Sequence, residues 1–173
     1  MMAKEYDQAP GHFNLACQLN DNDPWTLISA SLAHSFAGSP DQAKAISALA
    51  FEQSLFPTRV MWGYDVTSRF LWGDYEGCVT ASKHAANIIL NLPAWAAAAL
   101  HHLGQRDKAR EQANAFLEMT RASWRQDTPA SDAAIVRWLL HSFPIARRDD
   151  WERLRKGIIG AGLPKAAIEH NAW

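Results

Sequence analysis

Only two cysteines occur in 173 residues, Cys17 and Cys78, so a disulfide-framed fold is excluded. Each stands where a small apolar side chain faces a neighbouring helix, and both read as buried thiols. Val and Ile are few, and no run alternates apolar with polar residues, which argues against strands. The formal net charge is −1 with no basic excess, which leaves no footprint for a phosphate backbone. The longest apolar stretch, Leu92 to Leu100, is far shorter than the roughly 20 residues a bilayer demands. The opening residues, MMAKEYDQAPGHF, lack a long apolar segment and a signal-peptide pattern. The expectation is a cytoplasmic protein with neither nucleic acid nor membrane as partner.

Catalytic motifs are equally scarce. There is no HExxH and no closely spaced Cys pair. Gly160-Ala161-Gly162 lacks the preceding strand and the following Lys-Ser or Lys-Thr of a phosphate loop. His101 and His102 invite a metal, but adjacent helical residues point about 100° apart and share an ion poorly. Asp149, Asp150 and Glu152 read as acidic residues at a helix start, favoured by unpaired amides and the helix dipole. No metal, no cofactor and no catalytic residue are expected. Enzymatic use of a pocket would need converging polar groups with displaced pKa values.

What the chain does hold is alanine, 48% hydrophobic residues overall and a recurring trio. It reads Ala9, Phe13, Ala16; Ala43, Ser47, Ala50; Cys78, Ser82, Ala85; Ala109, Ala113, Phe116. A period near 34 residues belongs to two-helix units stacked side by side, and an all-α fold follows. Lys4 to Leu19 reads as an amphipathic helix with Pro10 in its early turns. Asp23 and Pro24 then suit an N-cap and first helical position. Helices follow over 25–37, Asp41 to Leu55, a stretch led in by Pro57 and Thr58, and Asp74 to Ile89. Gly38, Gly73 and Gly104 close the hairpins between paired helices. Gly104 follows Gly73 by about one helical turn too few, so one helix around 87–93 should be short. Thr128 or Ser131 caps a helix from Asp132 to His141. Asp149 or Asp150 starts the next, whose stripe is Trp151, Leu154, Ile158 and Ile159, and Gly160 and Gly162 stop it. Trp173 either folds back or is disordered.

These residues resemble the tetratricopeptide repeat (TPR). The loop glycines Gly38, Gly73 and Gly104 match its pattern, as do Tyr75, Ala109 and the aromatic Trp62; Leu27, Ser31 and Val66 depart from it. The ending, Leu139-Leu140-His141-Ser142-Phe143-Pro144 through Asp149-Asp150-Trp151 to Ala161-Gly162-Leu163-Pro164, is similar to that of bacterial TPR regions behind class III adenylate or guanylate cyclase domains, or behind winged-helix regulators. No cyclase or winged-helix residues are found here, and the chain begins inside a repeat. The resemblance implies one TPR-like domain over residues 4–164. It contains a partial repeat at 4–20, repeats at 24–56, 58–89 and 91–120, and capping helices at 131–163, followed by a tail at 165–173. It also implies a right-handed superhelix of stacked antiparallel helix pairs, whose first (A) helices line the concave side.

Counting back from the loop glycines places Trp25, Ile28, Leu32, Ser35 and Phe36 on that side, then Val60, Gly63, Thr67, Phe70 and Leu71, then Ala98, His101 and His102. Such a wall is apolar and aromatic, with only Arg59 and Arg69 as basic candidates, so a carboxylate clamp is disfavoured. An apolar guest suits it better: a helix, an extended peptide or the protein's own tail. The competing reading is an inner wall simply covered by adjacent helices. Trp25 and Trp95, at the starts of A helices, read as exposed anchors, and His34 as a core histidine. The function implied is a non-enzymatic scaffold for protein–protein interaction or self-association, related to the sensory part of a signalling protein. The alternative is a regulatory domain that binds a small apolar ligand or peptide in the groove.

Overall fold

In the computed structural model, which describes residues 9–125 and 129–170, every regular element is an α-helix. Nine occur among the described residues: α1 Ala9–Leu19, α2 Pro24–Phe36, α3 Pro40–Gln53, α4 Arg59–Trp72, α5 Tyr75–Ala85, α6 Leu92–His102, α7 Arg106–Ser123, α8 Asp132–Ser142 and α9 Arg148–Gly160. Residues 4–8, Thr128 and Trp173, for which the sequence carries expectations, lie outside the described residues.

Local chemistry sets the boundaries. The Asp23 carboxylate accepts from the amides of Trp25 and Thr26, and Pro24 opens α2 where a missing N–H costs nothing. The Thr58 and Ser131 hydroxyls cap α4 and α8 in the same way. The three hairpin turns share one closing geometry. Gly38, Gly73 and Gly104 all have φ between +75° and +82°. The next residue's amide reaches back five positions each time: Ser39 to His34 O, Asp74 to Arg69 O and Gln105 to Leu100 O, all at 2.9 Å. Leu163 closes α9 on Ile158 O by the same device.

The missing turn is taken from two helices. α5 ends at Ala85 because Ala86 and Asn87 enter the left-handed region, so the expected helix to Ile89 is corrected to one of 11 residues. α6 is also 11 residues, against 14 in both α3 and α4. The start of α9 is corrected too: Arg147 is its N-cap, so Asp149 and Asp150 lie inside the first turn.

The small trios sit at the contacts. Ala43, Ser47 and Ala50 of α3 are buried, as are Cys78 and Ala85 of α5 and Ala109, Ala113 and Phe116 of α7. α2 packs on α3, α4 on α5 and α6 on α7; α2 also packs on α4, α4 on α6, α3 on α4 and α5 on α6. Helix α6 is the hub, touching α4, α5, α7 and α9. Its run Ala96-Ala97-Ala98-Ala99 is wholly buried. Four neighbours reach one helix only if its side chains are small on every face. The one stretch that read as longest and most apolar is therefore the centre of the core. Trp95, read as an exposed anchor, is corrected to a fully buried residue between Phe70 and Phe143.

Candidate functional site

The face made by α2, α4 and α6 holds the residues the sequence placed in a groove. Among them Trp25 is the one left exposed, at 47%, and its ring meets Tyr64 at 5.3 Å. Ile28, Thr67 and Phe70 are buried, while Leu32, Phe36, His101 and His102 are partly covered.

The chain's own C-terminal part covers those at the hairpin end. Phe143 stacks on Phe36 at 5.9 Å and meets Trp95 edge-on at 5.0 Å. The Ala146 amide donates to Phe36 O at 2.9 Å. From there α9 crosses the C-terminal ends of the three A helices. Arg147 lies over Gly38 at the end of α2. The Arg153 guanidinium donates to Leu71 O at 2.7 Å, near the end of α4, where a cation suits the free carbonyls. Gly157 lies against Ala98 and Gly160 against the His101 ring on α6.

Charge is arranged to hold α9 there. Asp150 is almost wholly buried and pairs with Arg153 at 2.9 Å and with Arg147 at 3.8 Å. His102 donates from Nε2 to Arg153 O at 3.0 Å and stacks on Tyr75 at 4.7 Å. Burial pulls its pKa below the usual imidazole range. The His101 and His102 rings stand at 64° with centroids 5.7 Å apart, so their nitrogens do not converge. Among the described residues no group of three or more His, Cys, Asp or Glu side chains could hold a metal ion. None of the described helices is long and apolar enough to cross a membrane.

Two features escaped sequence reasoning. One is a groove of about 520 Å³ on the opposite face, between α5 and α7, lined by Ala96 and Leu100 of α6 and by Leu103 just beyond it. Glu76 and Lys83 edge it on α5, Lys108 and Glu111 on α7. The other is an apolar edge. Hairpin turns occupy one end of the helix stack, so the connections between pairs share the other end. Leu19, Trp25, Leu55, Phe56 and Ile88 all lie at that connecting end and are exposed, Leu55 at 89% and Phe56 at 87%. The signal was in the sequence: Leu55-Phe56-Pro57 puts two large apolar residues in a turn with no helical period to bury them.

Two further displaced groups, Asp65 and Cys78, lie between helices. Asp65 is fully buried, accepts from Ser47 Oγ at 3.2 Å and pairs with Arg69, which also holds Asp74 at 2.7 Å. Burial raises the Asp65 carboxyl above its usual range against the pull of Arg69. Arg69 thus belongs to the packing, and Arg59 is exposed. Cys78 is buried, and burial pushes its thiol pKa upward.

No family model matches the chain, and no curated protein or solved structure matches it significantly.

Proposed function

We propose that this chain is a non-enzymatic helical-repeat scaffold of the tetratricopeptide type, a right-handed superhelix that binds another protein or a second copy of itself in the cytoplasm. The identical closing geometry of the Gly38, Gly73 and Gly104 turns supports the repeat reading, as does the packing of each A helix on the next. The exposed apolar edge of Leu19, Trp25, Leu55, Phe56 and Ile88 carries the binding reading. Single exposed apolar residues are ordinary, but five at one end of a stack, two adjacent and almost fully exposed, are the kind of surface that marks an interface. The displaced groups Asp65 and Cys78 are taken up in packing between helices, which favours a scaffold over a catalyst.

The partner is expected at the connecting end and not along the whole A face, because α9 already covers the hairpin end of that face. The second reading, uptake of a small apolar ligand or peptide, draws support from the α5–α7 groove with its apolar floor.

The test is sedimentation equilibrium and affinity capture with the whole chain and a Leu55→Ser/Phe56→Ser variant. The scaffold reading expects either a mass above the monomer or a specific partner, lost in the variant. A monomer at all concentrations, with the same proteins captured by both forms, overturns it.

A further inference from the structure

Helix α1 packs on α2, and the polar contact between them runs through one fully buried imidazole. His34 Nε2 lies 3.0 Å from Asn14 Oδ1. That oxygen only accepts, so Nε2 carries the proton. The Gln42 amide of α3 donates to the same oxygen at 2.8 Å. One carbonyl on α1 is thus held by donors from two other helices. With the proton on Nε2, Nδ1 of the neutral ring is a bare acceptor, and it is buried without a partner.

We propose that this contact is an acid-released latch: protonation of His34 lifts α1 from α2 and uncovers the apolar cluster beneath it. A second proton goes to Nδ1, where it meets no acceptor, and leaves a cation in a buried site. Among the described residues no counter-charge is at hand on the elements packed around it. On α1, His12 is exposed and Cys17 is a partly buried thiol. On α3, Asp41, Lys44 and Glu52 are all exposed. On α4, Arg59 is exposed, and Asp65 is occupied by Arg69 and Ser47. Arg147, over Gly38, is itself a cation. The C-terminal turn of α2 would ordinarily favour a positive charge. Here the hairpin has taken its carbonyls, with Ala37 on Ala33 O, Gly38 on Ser35 O and Ser39 on His34 O. Burial alone accounts for the lowered pKa of His34.

From α1, Cys17 packs against an apolar cluster of Leu27, Ile28, Ala50 and Met61. Undocking α1 bares that surface and frees the Cys17 thiol, while Cys78 stays enclosed.

The test is hydrogen exchange on the intact chain between pH 7.5 and pH 5, corrected for the intrinsic pH dependence of exchange. Protection of the α1 amides is expected to fall by up to about tenfold per pH unit below about 6.5, until the pKa of the docked state is passed. Protection of α6, which exchanges only when the whole fold opens, should stay well above that of α1 at every pH. Labelling with 4,4′-dithiodipyridine, which reacts with thiols in acid, should accelerate at Cys17 by a matching factor. His34→Gln keeps a donor toward Asn14 without a titrating ring, so its α1 should stay protected across the range. Should that variant fail to fold, Asn14→Ala should show low α1 protection at every pH and no acid dependence. His12→Gln should leave the response intact. Equal α1 protection at both pH values, the same loss in His34→Gln, or α1 protection no lower than that of α6 would each overturn the latch.

Discussion

Gly157 of α9 lies so close to Ala98 of α6 that a β-carbon at 157 would stand 2.7 Å from the Ala98 β-carbon and 2.9 Å from its α-carbon. The two helices meet with almost no side chain between them, and that contact closes the hairpin end of the A-helix face. Gly160, one turn on, does the same against His101.

Gly157→Ala is therefore expected to destabilise the fold. Alanine favours an isolated helix over glycine by about 1 kcal/mol. The obstructing atoms include Ala98 backbone, which cannot swing aside, and overpacking of this kind costs about 1–3 kcal/mol. The clash should win, and Gly157→Val should be worse. Urea denaturation measures it; an alanine variant as stable as the parent would show that α9 is not seated as described.

Arg153 is the polar counterpart of that contact. It spends its guanidinium on Leu71 O and on the buried Asp150. Arg153→Ala should cost about 1–3 kcal/mol, since it strands a buried carboxylate and a helix-end carbonyl. Lysine should recover only part, because its single ammonium cannot match the planar fork. Amide exchange should quicken first in α9, and uniform exchange across the chain would contradict this role.

Removing the Asp65 carboxylate tests the α3–α4–α5 junction. Asp65→Ala takes from Arg69 its buried partner and leaves it Asp74, at a cost of about 1–3 kcal/mol. Asp65→Asn retains the acceptor for Ser47 and should cost clearly less. Equal losses in the two variants would assign the effect to packing volume.

Acid should weaken the whole fold in a defined window. The His34 and His102 pKa values are both lowered from 6.5 by burial. Below that value the unfolded chain takes up protons that the folded chain refuses, so stability falls as pH drops and levels off once the folded-state values are passed. Asp65 acts in the opposite sense at lower pH, its carboxyl being raised above 3.8. Urea midpoints between pH 7.5 and pH 5 check the sign; a flat profile contradicts it.

The exposed pair Leu55 and Phe56 should behave as surface for folding and as interface for binding. Leu55→Ser/Phe56→Ser should change stability by no more than about 0.5 kcal/mol per site. A large loss of stability in the free chain would instead mean that the pair packs within the fold.

Much of this was legible in one dimension, and the reason is range. N-caps at Asp23 and Ser131, and left-handed glycines at 38, 73 and 104, depend on hydrogen bonds spanning no more than five residues. The same holds for the all-helical class, which follows from periodicity and alanine content. The trio positions were readable too, because a small residue at helical spacing announces a close neighbour.

The A face was read only in outline. Sequence alone proposed which residues line it, weighed an apolar guest against cover by adjacent helices, and left the choice open. Coordinates chose, because the deciding contacts join distant positions: Arg153 and Leu71 are 82 residues apart. The stripe Trp151, Leu154 and Ile158 announced that α9 must bury a side, but not against which helix. Trp95 was misread for the same reason, since its position at a helix start carries no record of Phe143 arriving over it. Local backbone chemistry thus determined the helices and their turns. Packing in three dimensions decided which apolar faces the chain covers for itself and which edge it leaves open.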